Sequence, residues 1–329
     1  MSTLKIIHTP NNTLKIEKQS YLGTLGMGYL LKSLRNSDLF TVETHSDHLK
    51  TQRGERGTTL YFNDKKIYLD LWEYFNPTHS MDVYEANFDL IIKLQHAPIS
   101  IEEYEKKCRR KNVLQRISAE EREKFYNKII PWTFFPSTDL MKFMEAENCP
   151  NGPVSSLPEQ HLAFFSGKNW KGRHSWCDML EKQEGVYIVR HDGNNSQQKR
   201  MKRGVYHMDT NTYLNNMRSS KYGLVLSGRG SLLTQAKNRR EIDYMIMKKP
   251  LLVNYDPYYY DRLIEGVHYI RLQSDTNIAD LEDKYDLNQM VENAYEWYKN
   301  NASPIGVARS FLNIMHSEFK SDIPIHYEI

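Results

Sequence analysis

Arg229, Lys237, Arg239 and Arg240 crowd into one loop and the opening of one helix, with Ser227-Gly228 before them and Glu241 after them. A cationic first turn is locally unfavourable, because the helix macrodipole already places partial positive charge at that end. An anion relieves the conflict, and the backbone N–H groups of a helix start add donors to it. A solvated basic loop is the plainer reading of a charge run. Three arginines behind Ser-Gly, with a glutamate following, favour the anion site.

A second constellation is Tyr68-Leu69-Asp70-Leu71-Trp72-Glu73-Tyr74-Phe75, two carboxylates set among aromatic and aliphatic side chains. Such a pair suits general-base work. Taken alone, Asp70 reads as a turn cap and Glu73 as a solvated side chain. His45-x-x-His48 has the spacing of metal ligands, but no third ligand can be placed beside it. His8, closing the first strand, reads as structural, and the run Lys199-Arg200-Met201-Lys202-Arg203 reads as a solvated loop. Gly23, Gly26 and Gly28 open a helical pattern. They either bring backbone close to a ligand or permit tight helix–sheet packing.

The elements that must position these groups alternate. Buried strands are expected over 222–226 and 251–255, flanking a helix whose Ile242, Met245 and Ile246 recur at helical spacing. Strands over 162–166 and 186–190 and helices over 173–183 and 210–218 precede them. In the first half, strands are expected over 4–8, 58–62, 66–71, 88–95 and 129–137. The pair Asn63-Asp64 turns either a hairpin or two successive strands. Between 101 and 128 the charges are mixed in sign, as on a solvated helix. Residues 148–159, with Pro150, Gly152, Pro153 and Pro158, read as a linker. This pattern predicts an α/β protein with a mainly parallel, doubly wound sheet and two domains, 1–150 and 151–329. The last helices are expected over 288–299 and 305–319.

With 329 residues there is room for two cores. Lys and Arg number 44 against 41 Asp and Glu, a net charge of +3, too balanced for a nucleic-acid binder. No apolar run approaches the length of a membrane span, and residues 1–18 hold no signal-peptide core. A cytoplasmic, soluble protein is the expectation, in which the Asn-x-Ser/Thr triplets at Asn11, Asn194 and Asn301 stay unglycosylated. Cys108, Cys149 and Cys177 read as reduced thiols, with neither a disulfide framework nor a zinc site.

Ser219-Ser220-Lys221-Tyr222, the Ser227-Gly228 turn, the Arg-led helix, Pro250-Leu251-Leu252-Val253 and 263–270 together resemble the C-terminal half of GT-B-type glycosyltransferases. The resemblance is nearest to the exostosin-like and the protein O-glucosyl/xylosyltransferase-like families. The stretch 162–168 followed by Gly172-Arg173 is similar to the opening strand of that domain, and the likeness covers about 162–298. Animal and plant exostosin-like enzymes are usually Golgi membrane proteins. The absence of an anchor here looks more like the soluble transferases of microbes or large viruses.

The resemblance implies two Rossmann-like domains facing each other across a cleft. The acceptor would sit on the first, the nucleotide-sugar on the second, and the last helix would return to the first. The donor would be a UDP-sugar, UDP-xylose and UDP-glucose among the choices, and the acceptor a glycan or protein hydroxyl. Asp70 would be the base, with Glu73 second. No Asp-x-Asp occurs in the chain, so guanidinium groups rather than a metal are expected to hold the diphosphate. Donor contacts would come from Ser166, Gly167, Lys168, Arg173, Ser227, Gly228, Arg229, Arg239 and Arg240, with Glu241 on the ribose. The spacing of arginine and glutamate departs from that of both families. An isolated aspartate base favours inversion. Two other readings compete: a non-catalytic nucleotide- or carbohydrate-binding protein of the same fold, and a methyltransferase or epimerase. The last pair wants Gly-x-Gly-x-x-Gly after the first strand, which Gly23, Gly26 and Gly28 do not supply.

Overall fold

The structure is a computed structural model of the chain. It describes residues 2–7, 29, 33–34, 36–37, 40–45, 57–62, 65–70, 84–94, 117–149, 152–168, 173–191, 208–227, 235–236 and 239–319. Glu73, Gly228, Arg229, Lys237, His48 and the glycines at 23, 26 and 28 lie outside them. Two compact units divide the chain. One comprises Met1–Phe135, Tyr259–Asp261 and Lys299–Ile329; the other comprises Pro136–Tyr258 and Arg262–Tyr298.

The first unit carries a six-stranded sheet. Its strands are β1 (Ser2–Ile7), β2 (Phe40–His45), β3 (Gly57–Phe62), β4 (Lys65–Asp70), β5 (Leu90–Lys93) and β6 (Ile129–Pro131), in the order β2-β1-β3-β4-β5-β6. Two residues separate β3 from β4, a connection short enough to join only antiparallel neighbours. The two strands do form a hairpin, with Phe62 opposite Lys65. β3 also runs antiparallel to β1, so this sheet is mixed, whereas β1–β2, β4–β5 and β5–β6 are parallel. Leu60, Phe62, Ile67 and Leu69 recur every second residue and are buried. β5 is buried along its whole length, as suits an inner parallel strand, and that includes the charged Lys93.

The helix Pro304–Phe319 belongs to this first unit. Ser303 caps it by accepting a hydrogen bond from Gly306 N (3.0 Å), and proline occupies the first helical position, where no N–H is needed. Its Phe311 ring meets Phe62 edge-on at 6.2 Å and Trp132 at 5.9 Å. Trp132 Nε1–H donates to Ser310 Oγ (3.0 Å), so the buried indole is both packed and satisfied.

The second unit carries β7 (His161–Lys168), β8 (Val186–His191), β9 (Ser220–Val225), β10 (Gln235–Ala236), β11 (Leu251–Val253), β12 (Asp256–Pro257) and β13 (Ile270–Arg271). Five of them make a wholly parallel sheet in the order β13-β11-β9-β7-β8, and β10 pairs with β12 apart from it. The α/β class is thus as expected, with helices His174–Leu180, Thr210–Arg218 and Arg239–Ile246 between the strands. From β7 the chain winds to β8 on one side and to β9, β11 and β13 on the other. In open sheets of this kind, ligands bind outside the carboxyl ends of the strands, where the winding direction reverses. Here that place lies between the ends of β7 and β9.

One close approach fixes the helix Arg239–Ile246 over that place. Tyr244 lies directly on Gly223 of β9, so near that a methyl group there would enter its ring. Tyr244 Oη donates to the carbonyl of Phe164 in β7 (2.8 Å). One side chain therefore ties the helix to both strands of the switch point. Gly223→Ala is expected to lower stability by about 1–3 kcal/mol through overpacking, read as a shift of the urea midpoint at unchanged m-value.

Candidate active site

Arg173 leads the helix that follows β7, and its side chain is buried at 8% exposure. Its Nε donates to the carbonyl of Leu226, just past β9 (2.9 Å), so the guanidinium bridges the two strand ends. The same group lies 5.2 Å from the centroid of the Phe165 ring. Gly167 makes this possible, since a Cβ there would stand 3.0 Å from Arg173 Nη1 and 2.7 Å from Phe165 Cζ.

Arg240, in the first turn of the helix Arg239–Ile246, also lies 5.2 Å from the Phe165 ring centroid. Its Nε donates to Tyr213 Oη (3.0 Å). Tyr213 is delivered by the helix Thr210–Arg218, which Asp209 caps by accepting from Thr212 N (2.9 Å). The two guanidinium groups are therefore gathered over one aromatic ring, from elements that follow two different strands. Burial holds the Arg173 pKa down at about 10, and the nearby charge of Arg240 depresses it further. Burial opposes the charge of Arg240 too, but Tyr213, Tyr244 and Asp243 outweigh it and leave its pKa raised. Both groups stay cationic at neutral pH. Two like charges held together in partial shelter from water make a strong local field for an anion.

The remaining expected donor residues fall around these two. Ser166 Oγ is 2.8 Å from His191 Nε2, across neighbouring strands. Lys168 ends β7. Ser227 N donates to Asn254 Oδ1 (2.9 Å), which ties the turn after β9 to the end of β11. Arg239 starts the helix and is half-buried. Glu241 is fully buried and accepts a hydrogen bond from Tyr255 Oη. Burial, then the Glu241 charge, raises the pKa of that phenol well above its usual range. Gly228 and Arg229 lie outside the described residues.

Asp70 lies in the first unit, at the end of β4 and in register with Lys93 on the parallel strand β5. Lys93 Nζ donates to Asp70 Oδ2 at 2.5 Å, and the lysine is completely buried. Burial pushes the ammonium pKa down and Asp70 pulls it back up.

Residues that the sequence reading did not single out complete the second site. Phe165, Tyr213 and His191 are recruited through tertiary contacts. Asp243 is buried, accepts from Ser137 N (2.8 Å) and sits near Arg239 and Arg240. Among the described residues, no group of three or more His, Cys, Asp or Glu could hold a metal ion. No helix of the described residues is long and apolar enough to cross a membrane.

No family model and no curated protein matches the chain. Among solved structures it is similar to Anabaena HepE in complex with UDP-glucose, at 12% identity and a TM-score of 0.45, covering 95% of this chain and 100% of that one. It is also similar to a mutant of TarM from S. aureus in complex with Fondaparinux, alpha-GlcNAc-glycerol and UDP. There the identity is 14% and the TM-score 0.38, over 80% of this chain but only 62% of TarM. A third likeness is to the pneumococcal O-GlcNAc transferase GtfA with UDP and GlcNAc, at 10% identity and a TM-score of 0.37, covering 88% of this chain and 54% of that one. At these scores no role passes from neighbour to chain, and the site stands on its own residues.

Burial raises the Asp243 carboxyl to about 6, against the opposing hydrogen bonds from Ser137 and the two arginine charges. The folded state thus binds this proton more tightly than the unfolded state does. Its contribution to stability is complete below the unfolded value of 3.8 and is lost as pH rises through about 6. The difference amounts to roughly 3 kcal/mol. Asp243→Asn should flatten the fall in stability between pH 4 and pH 7, measured by urea unfolding across that range.

Proposed function

We propose that the chain is a glycosyltransferase that moves a sugar from a UDP-sugar, UDP-xylose or UDP-glucose, to a hydroxyl of a glycan or protein. The reading rests above all on Arg173 and Arg240 meeting over Phe165 at the switch point of the parallel sheet. A departing nucleoside diphosphate gains negative charge as the glycosidic bond breaks, and positioned cations stabilise that charge where it forms. Arg173 and Arg240 supply it here, assisted by Lys168, Arg229 and Arg239, without a metal ion. Ser166, Gly167, Ser227 and Gly228 frame the phosphates, while Glu241, fully buried against Tyr255, is not free to reach the ribose.

In the transfer, the acceptor oxygen attacks the anomeric carbon as the bond to the diphosphate oxygen breaks. The bonding electrons leave with UDP, and the hydroxyl proton passes to a carboxylate. Asp70 is our candidate for that base, oriented by Lys93, with Glu73 as the second candidate; one attack by the acceptor inverts the configuration. The work is assigned to the cytoplasm.

One observation supports a second reading, a non-catalytic nucleotide-binding protein of the same fold. Asp70 already forms an ion pair with a buried lysine, an arrangement that also suits a purely structural residue.

Two variants separate these readings. Arg240→Ala should weaken UDP binding about tenfold or more, the size of one lost hydrogen bond to a charged group; unchanged affinity in calorimetry would remove Arg240 from the site. Asp70→Asn should abolish transfer while UDP still binds and circular dichroism shows both units folded. Transfer at the wild-type rate would exclude Asp70 as base. A wild-type protein that binds UDP but neither transfers nor hydrolyses any UDP-sugar would establish the second reading.

A further inference from the structure

The amino end of the second sheet holds a groove of about 850 Å³, at the opposite end of the strands from Arg173 and Arg240. Lys221 near the start of β9 and Pro250 just before β11 form part of its wall. Lys249 lines it at only 5% exposure. The Lys249 backbone N–H is used by Tyr244 O (3.0 Å). Its ammonium makes no hydrogen bond or ion pair with the described residues. Burial lowers its pKa, with Glu159 opposing and Arg218 reinforcing the shift. The Lys249 stem is therefore buried while its ammonium opens into the groove, where a ligand oxygen can take the place of water.

The rest of the wall says which kind. Lys221 pairs with Glu282, and Lys248 pairs with Glu292 at 2.7 Å, so neither lysine offers net charge. Asp286 accepts from Gln289 N (3.0 Å) and caps the helix Leu287–Asn301. Across the groove three ammonium groups face four carboxylates, those of Glu159, Glu282, Asp286 and Glu292. Arg218, whose charge also reaches Lys249, brings that balance to neutral, so an anion finds no surplus positive charge in the groove. A neutral polyhydroxylated molecule needs none. Its oxygens accept from Lys249, its hydroxyls donate to the carboxylates, and the Asn288 amide and the Tyr285 ring complete the lining.

We propose that this groove binds a sugar unit of a neutral glycan, with Lys249 donating to one of its oxygens. The groove is separate from the donor site, so the proposal does not depend on the function argued above. It is tested by acetylating the full chain with an N-hydroxysuccinimide ester, with and without glucose, N-acetylglucosamine or xylose, and reading each lysine by mass spectrometry. At least one sugar should protect Lys249 in a saturable way while the exposed Lys182 reacts at an unchanged rate. Asn288→Ala, an exposed position where folding is not at risk, should weaken that protection about threefold to tenfold, as loss of one neutral hydrogen bond does. Arg240→Ala should leave it intact. The proposal is overturned if no sugar protects Lys249, if citrate or inorganic phosphate protects it and sugars do not, or if protection is lost in Arg240→Ala and kept in Asn288→Ala.

Discussion

Two guanidinium groups over one phenyl ring set the terms for the whole second unit. Like charges repel, so Arg173 and Arg240 stay together only because the chain restrains each from a separate direction. Leu226 O holds the first, Tyr213 Oη holds the second, and Phe165 gives both a face on which a delocalised cation can rest. Gly167 leaves room for the approach of Arg173, and Tyr244 on Gly223 fixes the helix that carries Arg240. The winding of the parallel sheet gives the arrangement its location. Its chemistry comes from charges that the fold brings together against their own repulsion.

The two units treat buried charge differently. In the first, Lys93 and Asp70 compensate each other within one pair of parallel strands, so the charge is cancelled where it arises. Replacing such a pair with apolar residues is often neutral, while removing one member is not. In the second unit, the single Asp243 carboxylate, largely ionised near neutrality, acts on both Arg239 and Arg240, so its compensation of their charge is incomplete. A site that leaves part of its positive field uncancelled is suited to an anionic ligand. A site that cancels it fully is suited to holding strands together.

Much of the α/β pattern was legible because it depends on local periodicity. The run Tyr222–Leu226 and the Ile242, Met245, Ile246 spacing each identify one element, whereas Asn63-Asp64 leaves a hairpin and successive strands both open, a choice settled by Lys65 lying opposite Phe62. What the sequence concealed was pairing across distance. Arg173 and Arg240 stand 67 positions apart, and the residues that unite them, Phe165 and Tyr213, look like ordinary core aromatics until the sheet is assembled. Adjacent helical residues project about 100° apart. Glu241 therefore turns inward to Tyr255 while Arg240 reaches Tyr213. The two-residue strands β10, β12 and β13 are too short to show any period.

The first unit is assembled from distant stretches of chain, because Phe311 and Ser310 close over Trp132 and Phe62. On the ribosome, residues 136–298 emerge before that last helix does. The wholly parallel sheet therefore has all its strands available while the mixed sheet still waits for the helix Pro304–Phe319. Nascent-chain quality control would meet this protein as a finished later half attached to an unfinished earlier one.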